Sequence, residues 1–288
     1  MSVVLESIMK RMVNTKKPFE WVRDEPTEED LRHIQKEGKE SPSIYDELDL
    51  RGQMIDELQA GRAVLKTWRG PFAKVLAVVY PDTKIPWATF GKIFTAFGPP
   101  PKGKGLWRIV WFAHPKKREF PSSFQTPSNI TNERTLTHVT PKHINGGYAY
   151  ACAPETIVIY REEEVERVLI HELLHAACTD DMDKPEWLRE VLTETWAELF
   201  LVAILANGSL RKATRLWKIQ AQWIANQQHV LTTEYGVLTP ESFPWRYTVG
   251  RATALQNLGI MLPPPSPEPR LALGNSLRFT SPAILEKS

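Results

Sequence analysis

Apolar positions recur most densely between residues 163 and 206, where Val165, Val168, Leu169, Ile170, Leu173, Leu174, Ala176 and Ala177 fall almost all the way round a 3.6-residue repeat. A helix that is apolar on nearly every side is a buried helix. After a polar break the pattern resumes over 184–206, and two more helices are predicted at 209–230 and 245–260. Upstream the character of the chain changes. AKVLAVVY at 73–80 and LWRIVWFA at 106–113 are short runs of Val, Ile and aromatics that predict strands, and PWATFGKIFTAFG between them predicts a helix opened by Pro86 and closed by Gly98. GGYAYAC and TIVIYR, joined by Ala153, Pro154 and Glu155, predict two further strands, the second running directly into the apolar helix.

Residues 1–60 are polar and charged, with helical stretches near 3–13, 27–37 and 44–59 interrupted by Pro26 and Pro42, so a helical N-terminal extension is expected there. Residues 114–135 are loop-like. From PPPSPEPR at 263 to residue 288 the proline density predicts an extended, solvated tail. The expected fold class is α+β: a mixed or antiparallel sheet, then the buried apolar helix, then an α-helical subdomain, all within residues 61–262.

Composition narrows the function. Thirty-six basic residues against 34 acidic ones give a formal charge of +2, which argues against nucleic acid as a partner. The short basic stretches at 102–108 and 116–118 read as solvated loops. The longest strongly apolar run, LFLVAILA at 199–206, is far too short to cross a bilayer, so no membrane partner is expected. MSVVLESIMKRMV has Glu6 and Lys10 inside its apolar pattern and does not read as a signal peptide. The sequons NIT at 129 and NGS at 207 then carry little weight. Two cysteines, Cys152 and Cys178, are not a disulfide framework and suit a reducing, intracellular (cytoplasmic) setting.

Within the buried helix lies HELLH. His171 and His175 are four residues apart and share a face, with Glu172 beside them. Composition alone produces HExxH in about one such chain in a hundred, so the surroundings must decide. Two imidazoles and a carboxylate in an apolar helix cost several kcal/mol unless something compensates them, and a divalent cation compensates all three. Zn²⁺ is the expected ion.

These residues resemble the gluzincin metallopeptidases over roughly 145–200. HELLHAACTDD is similar to the thermolysin-type HELTHAxTD run, and WLREVLTE resembles the WLNEGxT run of the aminopeptidase branch, with Arg189 in place of Asn and Val191 in place of Gly. NGGYAYACAPETIVIYREEEVERVLIHELLH, with ETWA downstream, more loosely resembles uncharacterised HExxH proteins of large DNA viruses. The resemblance implies a zincin-like fold, a third ligand from a Glu on the next helix, and a zinc-activated water for which Glu172 is the general base. It implies a peptide or protein as substrate.

Glu190, Glu194 and Glu198 all lie on that next helix, and like charges at this spacing repel by a few tenths of a kcal/mol each. The aminopeptidase-type count favours Glu194, since eighteen residues lie between it and His175. Geometry favours Glu190. If the first helix ends near Cys178 and the second starts at Asp183, as N-cap, the two are antiparallel, with His175 and His171 roughly 5 and 11 Å from the turn, Glu190 about 10 Å and Glu194 about 16 Å. Glu190 is then the metal ligand, Glu194 the acceptor for the N–H of His171, as in thermolysin-like relatives, and Glu198 solvated or capping. Asp181, at the metzincin-like position, is the remaining candidate, but that arrangement needs a turn-forming Gly where Cys178 stands. Zinc enzymes of this kind usually add a Tyr or His that stabilises the oxyanion; Tyr247 is preferred over His229 and Tyr235 because it opens a predicted helix with apolar positions. Gly146 and Gly147 would allow close backbone approach or simply form a turn. The alternative function is a structural or interaction protein, a virion component among the options, docking partners through the N-terminal helices or the proline-rich tail.

Overall fold

The computed structural model describes residues 3–12, 19–41, 43–101, 105–121 and 139–286, and a six-stranded mixed sheet lies at its centre. The strands are β1 (Val22–Asp24), β2 (Val64–Arg69), β3 (Ala73–Val79), β4 (Trp107–Phe112), β5 (Gly147–Ala149) and β6 (Ile157–Ile159), in the spatial order β1-β2-β3-β4-β6-β5. β3, β4 and β6 are mutually parallel, whereas β1, β2 and β5 run antiparallel to their neighbours. Parallel neighbours need a crossover. The helices are α1 (Val3–Met12), α2 (Glu28–Gln35), α3 (Leu50–Gln59), α4 (Trp87–Phe97), the single turn α5 (Pro141–Ile144), α6 (Val165–Ala176), α7 (Glu186–Ala206), α8 (Leu210–Glu234), α9 (Val249–Asn257), α10 (Pro269–Leu273) and α11 (Pro282–Glu286). α4 makes the β3–β4 crossover, with Pro86 before it and Gly98, at φ 74°, closing it.

Both faces of the sheet are covered, which is why β3 is continuously apolar instead of alternating. Val75, Ala77, Ile109, Trp111, Ile157 and Ile159 face the main core with α4, α6 and α7. Leu76, Val78, Val110, Phe112 and Val158 face Met54 and Ile55 of α3. The N-terminal stretch is therefore part of this layered structure: it contributes β1 to one sheet edge and α3 to one face. Position 13, residues 102–104, residues 122–135 and the sequon at 129 lie outside the described residues. Among the described residues no helix is long and apolar enough to cross a membrane.

Three local expectations change. α7 begins at Glu186 with Pro185 as its N-cap, so Asp183 belongs to the connecting loop. Cys152 and Cys178 are joined in a disulfide, their Cα atoms 4.5 Å apart, because the β5–β6 connection folds over the end of α6, where the Cys152 N–H donates to the His175 carbonyl. The composition argument for a reducing compartment loses its premise. Beyond residue 263 the chain is packed: Leu273, Leu277, Phe279 and Ile284 are buried. Gln227 and Trp223 of α8 donate to the Arg278 carbonyl and Gln220 to that of Phe279, so α8 satisfies this segment's backbone as a strand partner would.

Phe279 is 2 % exposed. Phe279→Ala is expected to lower unfolding free energy by about 3–5 kcal/mol in urea denaturation, whereas a change within about 0.5 kcal/mol would mean that the segment is solvated after all.

Candidate metal centre

Contacts between α6 and α7 step down one helix as they climb the other, so the pair is antiparallel. His175 and His171 meet Glu190, His171 also meets Glu194, and Arg167 meets Glu194 and Glu198. The acidic stripe is thus matched rung by rung by basic groups four residues apart on α6. Glu198, expected in solvent or at a cap, is fully buried, with Arg251 Nη1 3.0 Å from its Oε2. The apolar surroundings of that rung demand the second arginine, since one buried carboxylate cannot stay charged without close cations.

The three residues that could hold a metal ion are His171, His175 and Glu190. His171 Nε2 and His175 Nε2 are 3.0 Å apart, and Glu190 Oε2 and Oε1 lie 3.4 Å and 3.7 Å from them respectively. Ligands about 2.0–2.1 Å from a tetrahedral ion sit about 3.3 Å from one another, so these three edges fit one small cation. Acids also lie beside the outer ring nitrogens, with a hydrogen bond at His175 alone; His171 Nδ1 makes none. His175 Nδ1 donates to Asp180 Oδ2 at 2.7 Å, Thr193 Oγ1 donates to the other oxygen of Asp180, and Glu194 Oε1 lies 3.1 Å from His171 Nδ1. Such partners orient an imidazole so that its other nitrogen keeps a lone pair for a metal.

Electrostatics without an ion show how much compensation this cluster requires. Burial pushes the Glu172 carboxyl up to about 8, against the opposing influence of His175. Burial lowers His171 to about 4 despite Glu190. For His175 burial also acts downward, but the hydrogen bond to Asp180 and the charges of Glu190 and Glu172 outweigh it and carry the imidazole up to about 9. One proton is therefore held on His175, facing a neutral His171.

Glu172 and Tyr247 line the same cavity, of about 350 Å³, as the three candidate ligands. Tyr247 lies not at the start of a long helix but in the 3₁₀ turn Phe243–Tyr247 that precedes α9. Burial, reinforced by Glu190 and Glu172, holds its hydroxyl well above the usual phenol range, so it stays a donor. His229 is exposed on α8, and Tyr235 stacks on Phe120 and donates to the Pro121 carbonyl; neither lines the cavity. Asp181 is exposed and paired with Lys184 at 2.9 Å, outside the candidate metal group. Cys178 nevertheless adopts the turn conformation associated with glycine, at φ 61°, so the missing Gly was not the reason; the loop simply turns Asp180, one residue earlier, toward His175. β5 passes close above α6. A side chain on Gly147 would place its first carbon 2.7 Å from Val168 Cγ1 and 3.0 Å from Glu172 Oε1, so this approach requires glycine.

Sequence reasoning missed Asp180, Arg167 and Arg251. Asp180 is the first acid of the CTDD run, and Arg167 stands one turn before His171, but spacing alone gives neither of them a partner. Comparison with protein-family models, with curated proteins and with solved structures finds no match to this chain.

A metal-ligating imidazole must be neutral, so any divalent cation taken up by this group would have to expel the proton on His175. Because that proton binds with a pKa of about 9, affinity for such a cation, probed with zinc, should weaken by up to tenfold for each pH unit below 9. Competition titrations against a calibrated chelator should show affinity still rising between pH 7.5 and 9. A plateau above pH 7.5, the behaviour of an ordinary imidazole of pKa about 6.5, would contradict the assignment.

Proposed function

We propose that this chain is a zinc-dependent peptidase of gluzincin type on a zincin-like fold, with His171, His175 and Glu190 as ligands. The observation that carries the reading is the convergence of three ligand side chains, their donor atoms 3.0–3.7 Å apart, beside Glu172, a buried carboxyl whose charged form a cation would favour. Two imidazoles and one carboxylate are a donor set of catalytic zinc, and a three-residue set leaves one position open. When bound, the cation would supply Lewis-acid chemistry, lowering the pKa of water toward about 7 and polarising a carbonyl.

The chain's own groups would do the rest. Glu172 Oε accepts the proton of the attacking water and returns it to the leaving amine nitrogen; the cation's charge opposes the burial that otherwise keeps this carboxyl protonated. Tyr247, protonated and at the cavity wall, donates its O–H to the carbonyl oxygen as negative charge develops there. Asp180 and Glu194 hold the two imidazole rings. β5 ends the strand order, so its outer edge is free of strand partners among the described residues and can take an extended peptide by strand addition. Gly146 and Gly147 line the cavity and let this strand pack closely on Arg118, Val168 and Glu172.

Glu172→Gln should retain zinc and lose at least a hundredfold in cleavage of a generic peptide library, because the amide cannot accept the water's proton. Undiminished cleavage would remove Glu172 from the mechanism. Wild-type protein that holds zinc but cleaves no peptide would favour the scaffold role instead.

Tyr247→Phe removes only a hydroxyl, so zinc content and thermal stability should hold while the rate falls at least tenfold. An unchanged rate would discard the oxyanion role.

A further inference from the structure

Beneath the candidate ligands lies a buried chain of charge that the catalytic reading does not use. Arg167 is one helical turn before His171, and its side chain is 2 % exposed. Its Nη2 contacts Glu194 Oε2, and its Nε lies 3.6 Å from Glu198 Oε2, the oxygen that Arg251 Nη1 approaches to 3.0 Å. Arg251 Nη2 donates in turn to Gln227 Oε1 at 3.1 Å. Phe279 closes the assembly from the C-terminal segment, its ring centroid 4.7 Å from the Arg167 guanidinium. The backbone N–H groups of Phe279 and Thr280 donate to the Glu164 carboxylate, so the ring is anchored to the start of α6 itself.

Glu194 therefore sets its two oxygens beside different bases, Oε2 against Arg167 and Oε1 3.1 Å from His171 Nδ1, at ion-pair distance but without hydrogen-bond geometry. A carboxylate on a long side chain has three rotatable bonds, and ordering it costs rotamer entropy. A planar guanidinium wedged between two carboxylates and an aromatic face removes that freedom, which a lysine, as a point charge, would not.

We propose that Arg167 is a positioning residue of the metal site: by holding Glu194 Oε2 it aims Glu194 Oε1 at His171 Nδ1 and so keeps His171 Nε2 turned toward Glu190 and His175. This rests on the reading of the site as a metal centre. Arg167 lines the same cavity but makes no contact with the three candidate ligands, and it meets His171 by way of Glu194. The ordered C-terminal segment follows from the same demand, since Phe279 screens the guanidinium from water.

The test uses full-length wild-type protein and the variants Arg167→Lys, Arg167→Met, Glu194→Gln and the double variant Arg167→Met/Glu194→Gln. Zinc affinity is read by chelator competition, and the melting temperature of each zinc-free protein is read alongside. Arg167→Met and Arg167→Lys should each weaken zinc binding about 10- to 100-fold, the range for loss of an outer partner of a ligating histidine. The double variant should bind no more weakly than Glu194→Gln alone. If Arg167→Met does not fold, Arg167→Met/Glu198→Gln restores the charge balance and should show the same loss of zinc affinity. Wild-type zinc affinity in a folded Arg167 variant, even with a lowered melting temperature, would reduce Arg167 to a structural ion pair and overturn the proposal, as would fully additive losses in the double variant with Glu194→Gln. Wild-type protein that takes up no zinc at all would instead overturn the metal-centre reading, a distinct failure.

Discussion

Everything around the centre of this protein follows from placing charge where water is not. The interface between α6 and α7 holds Arg167, His171, Glu172, His175, Glu190, Glu194 and Glu198, most of them buried. Each would be costly alone, and each but Glu172 lies beside a basic or acidic partner across the interface or on a neighbouring element. Carboxylates four residues apart on α7 repel one another, and the bases four residues apart on α6 turn that repulsion into a ladder. Glu172 makes no ion pair among the described residues, and a cation held by His171, His175 and Glu190 would favour its charged form.

The remaining architecture serves the same requirement. The parallel strands β3, β4 and β6 form a rigid apolar floor under α6, and the glycine at 147 lets β5 approach the helix closely enough to wall the cavity beside Glu172. Glu164, at the N-cap of α6, is held at φ 61°, a conformation that costs about 1–3 kcal/mol for a residue with a side chain. Its carboxylate is bound by Arg118 and by the backbone of Phe279 and Thr280, which stabilise that geometry. The C-terminal segment is thereby tied to the start of the helix that carries both histidines.

Much of this was legible in the chain. The all-round apolar pattern of 163–178 with HELLH inside it marks a buried helix carrying polar groups, and the rise per residue sets Glu190 level with the two histidines even though the true cap is Pro185 and not Asp183. β3 and β4 follow from their runs of Val, Ile and aromatics, and α4 from the stretch bounded by Pro86 and Gly98. What was hidden depends on partners distant in sequence. β2 is amphipathic at best and owes its place to pairing with β3. Glu198 reads as a surface acid until Arg251, 53 residues later, is folded against it. The proline-rich end reads as a tail because its backbone partners are the side chains of Gln220, Trp223 and Gln227, which no local pattern announces. Cys152 and Cys178, 26 residues apart, join only because the β5–β6 connection returns to the end of α6.

One small cation is expected among His171, His175 and Glu190. Diffraction from zinc-loaded crystals at the zinc absorption edge would locate it. A single anomalous peak should lie in this interface, bonded to His171 Nε2, His175 Nε2 and a Glu190 oxygen at about 2.0–2.2 Å, with Glu194 and Asp180 outside bonding distance. No peak there, or a peak ligated by Glu194 or Asp180 in place of Glu190, would contradict it.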